Sequence, residues 1–215
     1  MNNLNAPASP NLPRTPEAYE PAYHAAVNNV LRLFFNQIVN ALQSLLGVRG
    51  GQYINNPYGA FQNNSNVVLA AANTPTLIPI NSTDYANGMS YATGDGIHVT
   101  VSALYNYQFS IQFANSDTAI HPAVVWLRKN GVDVPGTASK FDVPSKHGAS
   151  DGYLIGVCNF YIDLLKDEYV ELWWACDSTT TYLEAYPAQT TPYARPSIPS
   201  VVATLTFVSS YQGTP

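Results

Sequence analysis

"LYNYQFSIQF", residues 104–113, decides the fold class. Tyr105, Tyr107, Phe109, Ile111 and Phe113 alternate with Asn106, Gln108, Ser110 and Gln112. Successive side chains of a β-strand point to opposite faces, so the stretch predicts a strand with one aromatic face and one amide face. Downstream, "VVWLRKNGVDVPG" (124–136) predicts a hairpin. Its Asn130-Gly131 pair accepts the positive φ of a type I′ turn, with Arg128 and Lys129 beside the turn and Trp126 inside. "DGYLIGVCNFYIDL" (151–164), "EYVELWWAC" (168–176) and "SVVATLTFVSS" (200–210) read as further strands, with Leu165 to Glu168 as a turn-length link. Short strands separated by turn signals, with no helix between them, predict an antiparallel sandwich or jelly roll from residue 53 to 215.

Two different segments precede it. Residues 1–20 hold Pro7, Pro10, Pro13 and Pro16, and proline fixes φ and removes donors, so this is an extended arm that cannot fold alone. Its spaced apolar residues Leu4, Leu12 and Tyr19 are the candidate anchors of a docking segment. Residues 21–52 carry the one helical pattern. Val27, Leu31, Phe34, Ile38, Ala41 and Leu45 follow alternating spacings of four and three, a heptad seam that predicts self-association. Leu33, Phe35, Val39, Leu42 and Leu46 form a second apolar stripe, which a single helix cannot hide by itself. Pro21 suits the first turn, and Gly47 the stop.

The net charge is −5, with only 11% of residues charged. Residues 1–50 are slightly positive and the remainder strongly negative. An acidic body is repelled by phosphate backbones, so nucleic acid is not an expected partner. No apolar run is long enough to span a bilayer as a helix, and the N-terminus lacks the basic and apolar regions of a secretory signal. Cys158 and Cys176 lack metal-ligand spacing; they read as two buried thiols or as a cross-strand disulfide. No cofactor or metal is expected.

Chemistry is sparse. His147, in "SKHGASDG" (145–152), has Lys146 and Asp151 nearby and Ser145 or Ser150 as nominal nucleophiles. The stretch is a polar Gly/Ser loop without a nucleophile elbow, so catalysis is not expected. His98 and His121 read as a strand and a turn residue, and "ATGDG" (92–96) as a turn too poor in acids to hold a cation.

The order of elements resembles the jelly roll of C1q and tumour-necrosis-factor type. The stretches that carry the likeness are "AAANTPTLIPINST" (70–83), "LYNYQFSIQF", "VVWLRKNGVDVPG", "NFYIDLLKDEYVELWW" (159–174) and "PSVVATLTFVSS" (199–210). The leader "VLRLFFNQIVNALQSLLG" (30–47) followed by "NNPYGAF" (55–61) is similar to body proteins of tailed-bacteriophage virions. The jelly-roll resemblance implies a non-enzymatic homotrimer around a threefold axis, and the phage resemblance implies assembly in the bacterial cytoplasm. The trimer would turn Tyr105, Tyr107 and Phe109 toward the axis, and Arg128 and Lys129 toward acids such as Glu171 or Asp163. The implied role is a capsid decoration or cement protein held to the major capsid protein or another virion protein by its arm and helix. The alternative is a tail or head fibre tip whose loops (176–197) hold a host receptor or glycan.

Overall fold

The structure is a computed structural model and describes residues 7–46, 56–91, 94 and 96–210. The chain divides into two compact units, residues 1–55 and 56–215.

The first unit is one helix and its leader. Helix α1, Pro21–Leu46, begins at the proline whose missing N–H is least costly in a first turn. The leader is an extended strap. Pro7, Pro10, Pro13 and Pro16 are half-buried, while the residues between them are exposed. A period of three is that of polyproline II, so the prolines share one edge of the strap. That edge borders the helix: Ala8, Ser9 and Pro10 enclose a cavity of about 220 Å³ with Val30, Leu33, Phe34 and Gln37. Thr15 Oγ1 lies 3.4 Å from the Tyr23 hydroxyl, so the strap runs antiparallel to α1.

Among the described residues, the second unit holds fourteen strands. They are β1 (Tyr58–Asn63), β2 (Val67–Val68), β3 (Thr76–Leu77), β4 (Ser82–Asn87), β5 (Met89–Tyr91), β6 (Ile97–Val99) and β7 (Ala103–Asn115), then β8 (His121–Lys129), β9 (Val132–Asp133), β10 (Ser139–Val143), β11 (Gly152–Leu164), β12 (Tyr169–Cys176), β13 (Thr181–Leu183) and β14 (Val201–Ser210). One sheet runs β4-β1-β14-β7-β11, with β13 pairing the last residues of β7 past β14 and β2 pairing β13; the other runs β5-β6-β12-β8-β10, with short β3 and β9 at its margins. These pairings are antiparallel, and the long strands β7, β8, β11, β12 and β14 fall alternately on the two sheets, as in a jelly roll.

Alternation along β7 sends Tyr105, Tyr107, Phe109, Ile111 and Phe113 into the space between the sheets, each at most 1% exposed. The second sheet answers with Val125, Leu127, Val170, Leu172 and Trp174. Phe113 meets Trp174 at 6.3 Å and Phe141 at 5.6 Å between ring centroids. Gly156 of β11 is what admits the Phe113 and Phe141 rings: a Cβ there would stand 2.8 Å from one and 3.1 Å from the other.

The expected hairpin is present. Asn130 (φ 51°) and Gly131 (φ 78°) form its turn between β8 and β9. Its surroundings differ from the expectation in two ways. Trp126 is only half-buried, because its parity on β8 faces outward, and Trp174 is the indole inside. Arg128 pairs with Asp133 at 2.5 Å rather than with Glu171, while Lys129 does reach Asp163 (3.3 Å) and also Glu168 (2.9 Å). Cys158 and Cys176 are free thiols, the first half-buried and the second buried.

Burial predicts unequal costs for the two indoles. Trp174→Ala should destabilise the second unit by about 3–5 kcal/mol, through lost transfer energy and the cavity left behind. Trp126→Ala should cost about 1–2 kcal/mol. Urea denaturation followed by circular dichroism measures both; equal losses would place the core elsewhere.

Candidate assembly face and loop clasp

The parity that buries the aromatic side of β7 turns its amide side outward. In register with it stand the outward residues of β11 and β14, and beyond β14 those of β1. Tyr161, Asn106, Thr206 and Tyr58 make one rank across four strands. Asn159, Gln108, Thr204 and Ala60 make the next, and Val157, Ser110, Val202 and Gln62 the third. None of these twelve residues is charged. At strand and residue spacings the three ranks cover roughly 19 Å by 20 Å, about 400 Å². Ile155 and Tyr153 extend the patch along β11. Tyr153, Ile155, Val157 and Tyr161 are 55%, 59%, 52% and 67% exposed.

The face is also shaped. Val157 on one side and Val202 and Thr204 on the other flank a concavity of about 220 Å³ whose floor includes Gln108 and Ser110. A small serine between longer neighbours makes the dip. Charges stand at the border of the face, where Asp84 accepts from Gln62 at 2.7 Å and Asp163 pairs with Lys129 at 3.3 Å; a centre without charge and with aromatic and branched side chains around a recess has the composition of an interface centre.

Three of the eight residues expected to form a trimer seam are placed otherwise. Tyr105, Tyr107 and Phe109 are not an interface: their side chains fill the sandwich core, since the second sheet already covers that face of β7. On α1, Val27, Leu31, Phe34 and Ile38 are half-buried and Leu45 is 41% exposed. The strap borders the Phe34 part of that seam, while Phe35, Val39 and Leu42, 57%, 46% and 49% exposed, form an uncovered stripe. Of the expected docking residues, Leu12 and Tyr19 are 48% and 78% exposed, and Leu4 lies outside the described residues. The helix stop at Gly47 and most of the 92–96 turn lie outside them too.

The histidines do not assemble a catalytic group. His147 and Ser150 exchange backbone hydrogen bonds of 2.9 and 3.1 Å as a small exposed bridge. Asp151, the nominal orienter, accepts instead from the Tyr182 hydroxyl at 2.8 Å. His98 stacks on Tyr169 at 5.0 Å. Among the described residues no cluster of three His, Cys, Asp or Glu is arranged to hold a metal ion.

His121 is different. Its Nε2 lies 3.0 Å from Asp117 Oδ2 and its Nδ1 2.9 Å from Asp177 Oδ1. It thereby clasps the corner after β7 to the corner after β12. The bond to Asp117, then that to Asp177, hold the imidazole above its ordinary range, and the same bond holds Asp117 below the usual carboxylate range. A lone histidine before a proline gave no sign of this, because both carboxylates arrive through the fold.

These features define a class: an antiparallel jelly-roll sandwich with a neutral, recessed outer face and a separate strap-and-helix leader. No family model and no curated protein matches the chain. Among solved structures, it is similar to two crystal structures of murine APRIL. The one at pH 5.0 has a TM-score of 0.47 at 10% identity, over 71% of this chain and 99% of that one. The one at pH 8.5 has a TM-score of 0.44 at 9% identity, over 71% and 98%.

The clasp predicts a pH signature. A raised histidine pKa contributes stability that is whole below the unfolded value, about 6.5, and is lost as pH rises through the higher folded value. A depressed Asp117 contributes above its unfolded value, about 3.9, and loses that as pH falls through its folded one. The melting temperature of wild type should therefore exceed that of His121→Gln most between about pH 4 and 6.5, and the gap should shrink above that window. A gap that widened with rising pH would contradict the clasp.

Proposed function

We propose that the chain is a non-enzymatic structural protein that assembles as a homotrimer through the outer face of the β11-β7-β14-β1 sheet and serves as a capsid decoration or cement protein of a tailed-phage virion. The observation that carries the assembly reading is the neutral stripe Tyr153, Ile155, Val157 and Tyr161 beside a recess. A closed ring is formed by heterologous contacts, so each chain contributes two patches and buries two surfaces. With about 400 Å² per partner each contact is half a standard interface, and closing the ring holds every chain by two of them. The virion assignment is supported by the likeness of the leader and of "NNPYGAF" to phage body proteins.

Attachment falls to the first unit. Its strap presents Leu12 and Tyr19 outward, its helix presents Phe35, Val39 and Leu42, and its net charge is opposite in sign to that of the sandwich. Restricted proline backbones lose less entropy on docking. The fibre-tip reading draws on the long excursion between β13 and β14, closed by the bridges Tyr186 to Ile198 and Gln189 to Arg195, with Tyr193 66% exposed at its tip.

Two measurements test the reading. Sedimentation should give three chains for wild type and one for Val157→Arg, since an arginine in the recess buries an unpaired charge. Deletion of residues 1–20 should leave the trimer intact and abolish its binding to particles that lack the protein. A monomeric wild type would overturn the assembly, and unchanged particle occupancy after the deletion would overturn the attachment.

A further inference from the structure

The opposite side of the sandwich carries a second recess, unrelated to the assembly face. It opens on the outer surface of the β8-containing sheet, has a volume of about 320 Å³, and is lined by Trp126, Asp133, Val134, Pro135, Gly136 and Ala138. We propose that this recess is a subsite for one neutral hexopyranose ring, stacked on Trp126 with its hydroxyls donating to Asp133.

The walls are built in advance. Val134 N–H donates to the Leu127 carbonyl at 2.9 Å, returning the chain to β8 just after β9. Thr137, 5% exposed, pins the loop from beneath: its hydroxyl donates to the Val134 carbonyl at 2.8 Å and accepts from Leu127 N–H at 3.1 Å. Gly136 supplies the left-handed turn at φ 81°. Asp133 is oriented too, because its Oδ1 accepts from Trp126 Nε1 at 2.7 Å and from Arg128 Nε at 2.5 Å. Arg128 is held in turn, with its guanidinium 3.9 Å from the centroid of the Trp173 ring. A preorganised wall costs a ligand little ordering.

The chemistry selects the ligand by exclusion. The volume stands at the lower limit of small-molecule sites, room for one ring. An anion would meet the Asp133 carboxylate, which the bonds from Arg128 and then Trp126 keep ionised. A cation would meet a carboxylate already neutralised by Arg128, and be repelled by that guanidinium. A purely apolar ring would strip water from an ionised carboxylate and return no hydrogen bond. A sugar ring avoids all three costs. Its C–H face lies on indole and proline, and its hydroxyls donate to Asp133 Oδ2, on a side chain 63% exposed.

The test is saturation-transfer NMR on the full chain with methyl glucoside, galactoside and mannoside. At least one should receive saturation that is competed by excess of itself. Trp126→Ala should remove that signal, and so should Ala138→Trp, which blocks the recess from its rim without touching the platform. Asp133→Ala should weaken binding at least tenfold. Sedimentation of all three variants should match wild type, so a failure of assembly is read separately. No transfer to any of the three glycosides, or transfer that survives both Trp126→Ala and Ala138→Trp, would overturn the subsite.

Discussion

Parity along β7 is the constraint on which the rest depends. Thirteen residues alternate across this strand, and it pairs with β11, β13 and β14. Once Tyr105 to Phe113 face Trp174 and Leu172, the register leaves no freedom. Asn106, Gln108 and Ser110 must face outward, and the hydrogen-bonded neighbours must present Val157, Tyr161, Val202 and Thr204 beside them. A one-residue slip would place four amides and hydroxyls in the core. The same bonds that build the core therefore compose the outer face.

Much of this was legible. The alternation of residues 104–113 and the Asn130-Gly131 turn are local signals, and the structure follows both. The destination of the aromatic face was not legible. An aromatic strand face reads equally well as a core and as a subunit contact, and only the second sheet decides between them. The true outward stripe was masked by the composition of β11. Both of its faces are apolar in sequence, with Leu154, Phe160 and Ile162 on one and Tyr153, Ile155, Val157 and Tyr161 on the other, so the strand shows no amphipathic contrast.

Contacts between distant segments were also out of reach. The prolines at 7, 10, 13 and 16 spell a period of three, but what that edge covers depends on the return of the chain along α1. Asp133 and Asp177 are single acids in sequence. The first anchors Trp126 and Arg128, the second one side of His121, and each role comes from register rather than from spacing. Trp126 reads as core because a tryptophan within an apolar run is usually buried; one residue of parity separates it from that outcome.

The two outer faces of the sandwich divide the work in the proposed account. One is neutral and recessed, suited to a second copy of the chain; the other carries a fixed polar cluster around an indole. Hydroxyl-radical footprinting of the full chain tests the central claim directly, because Tyr161 and Tyr193 are matched probes, 67% and 66% exposed in the single chain. If the β11 face associates, Tyr161 is oxidised far more slowly than Tyr193 at high concentration and at an equal rate once dilution separates the chains. Equal oxidation of the two tyrosines at every concentration would contradict the account.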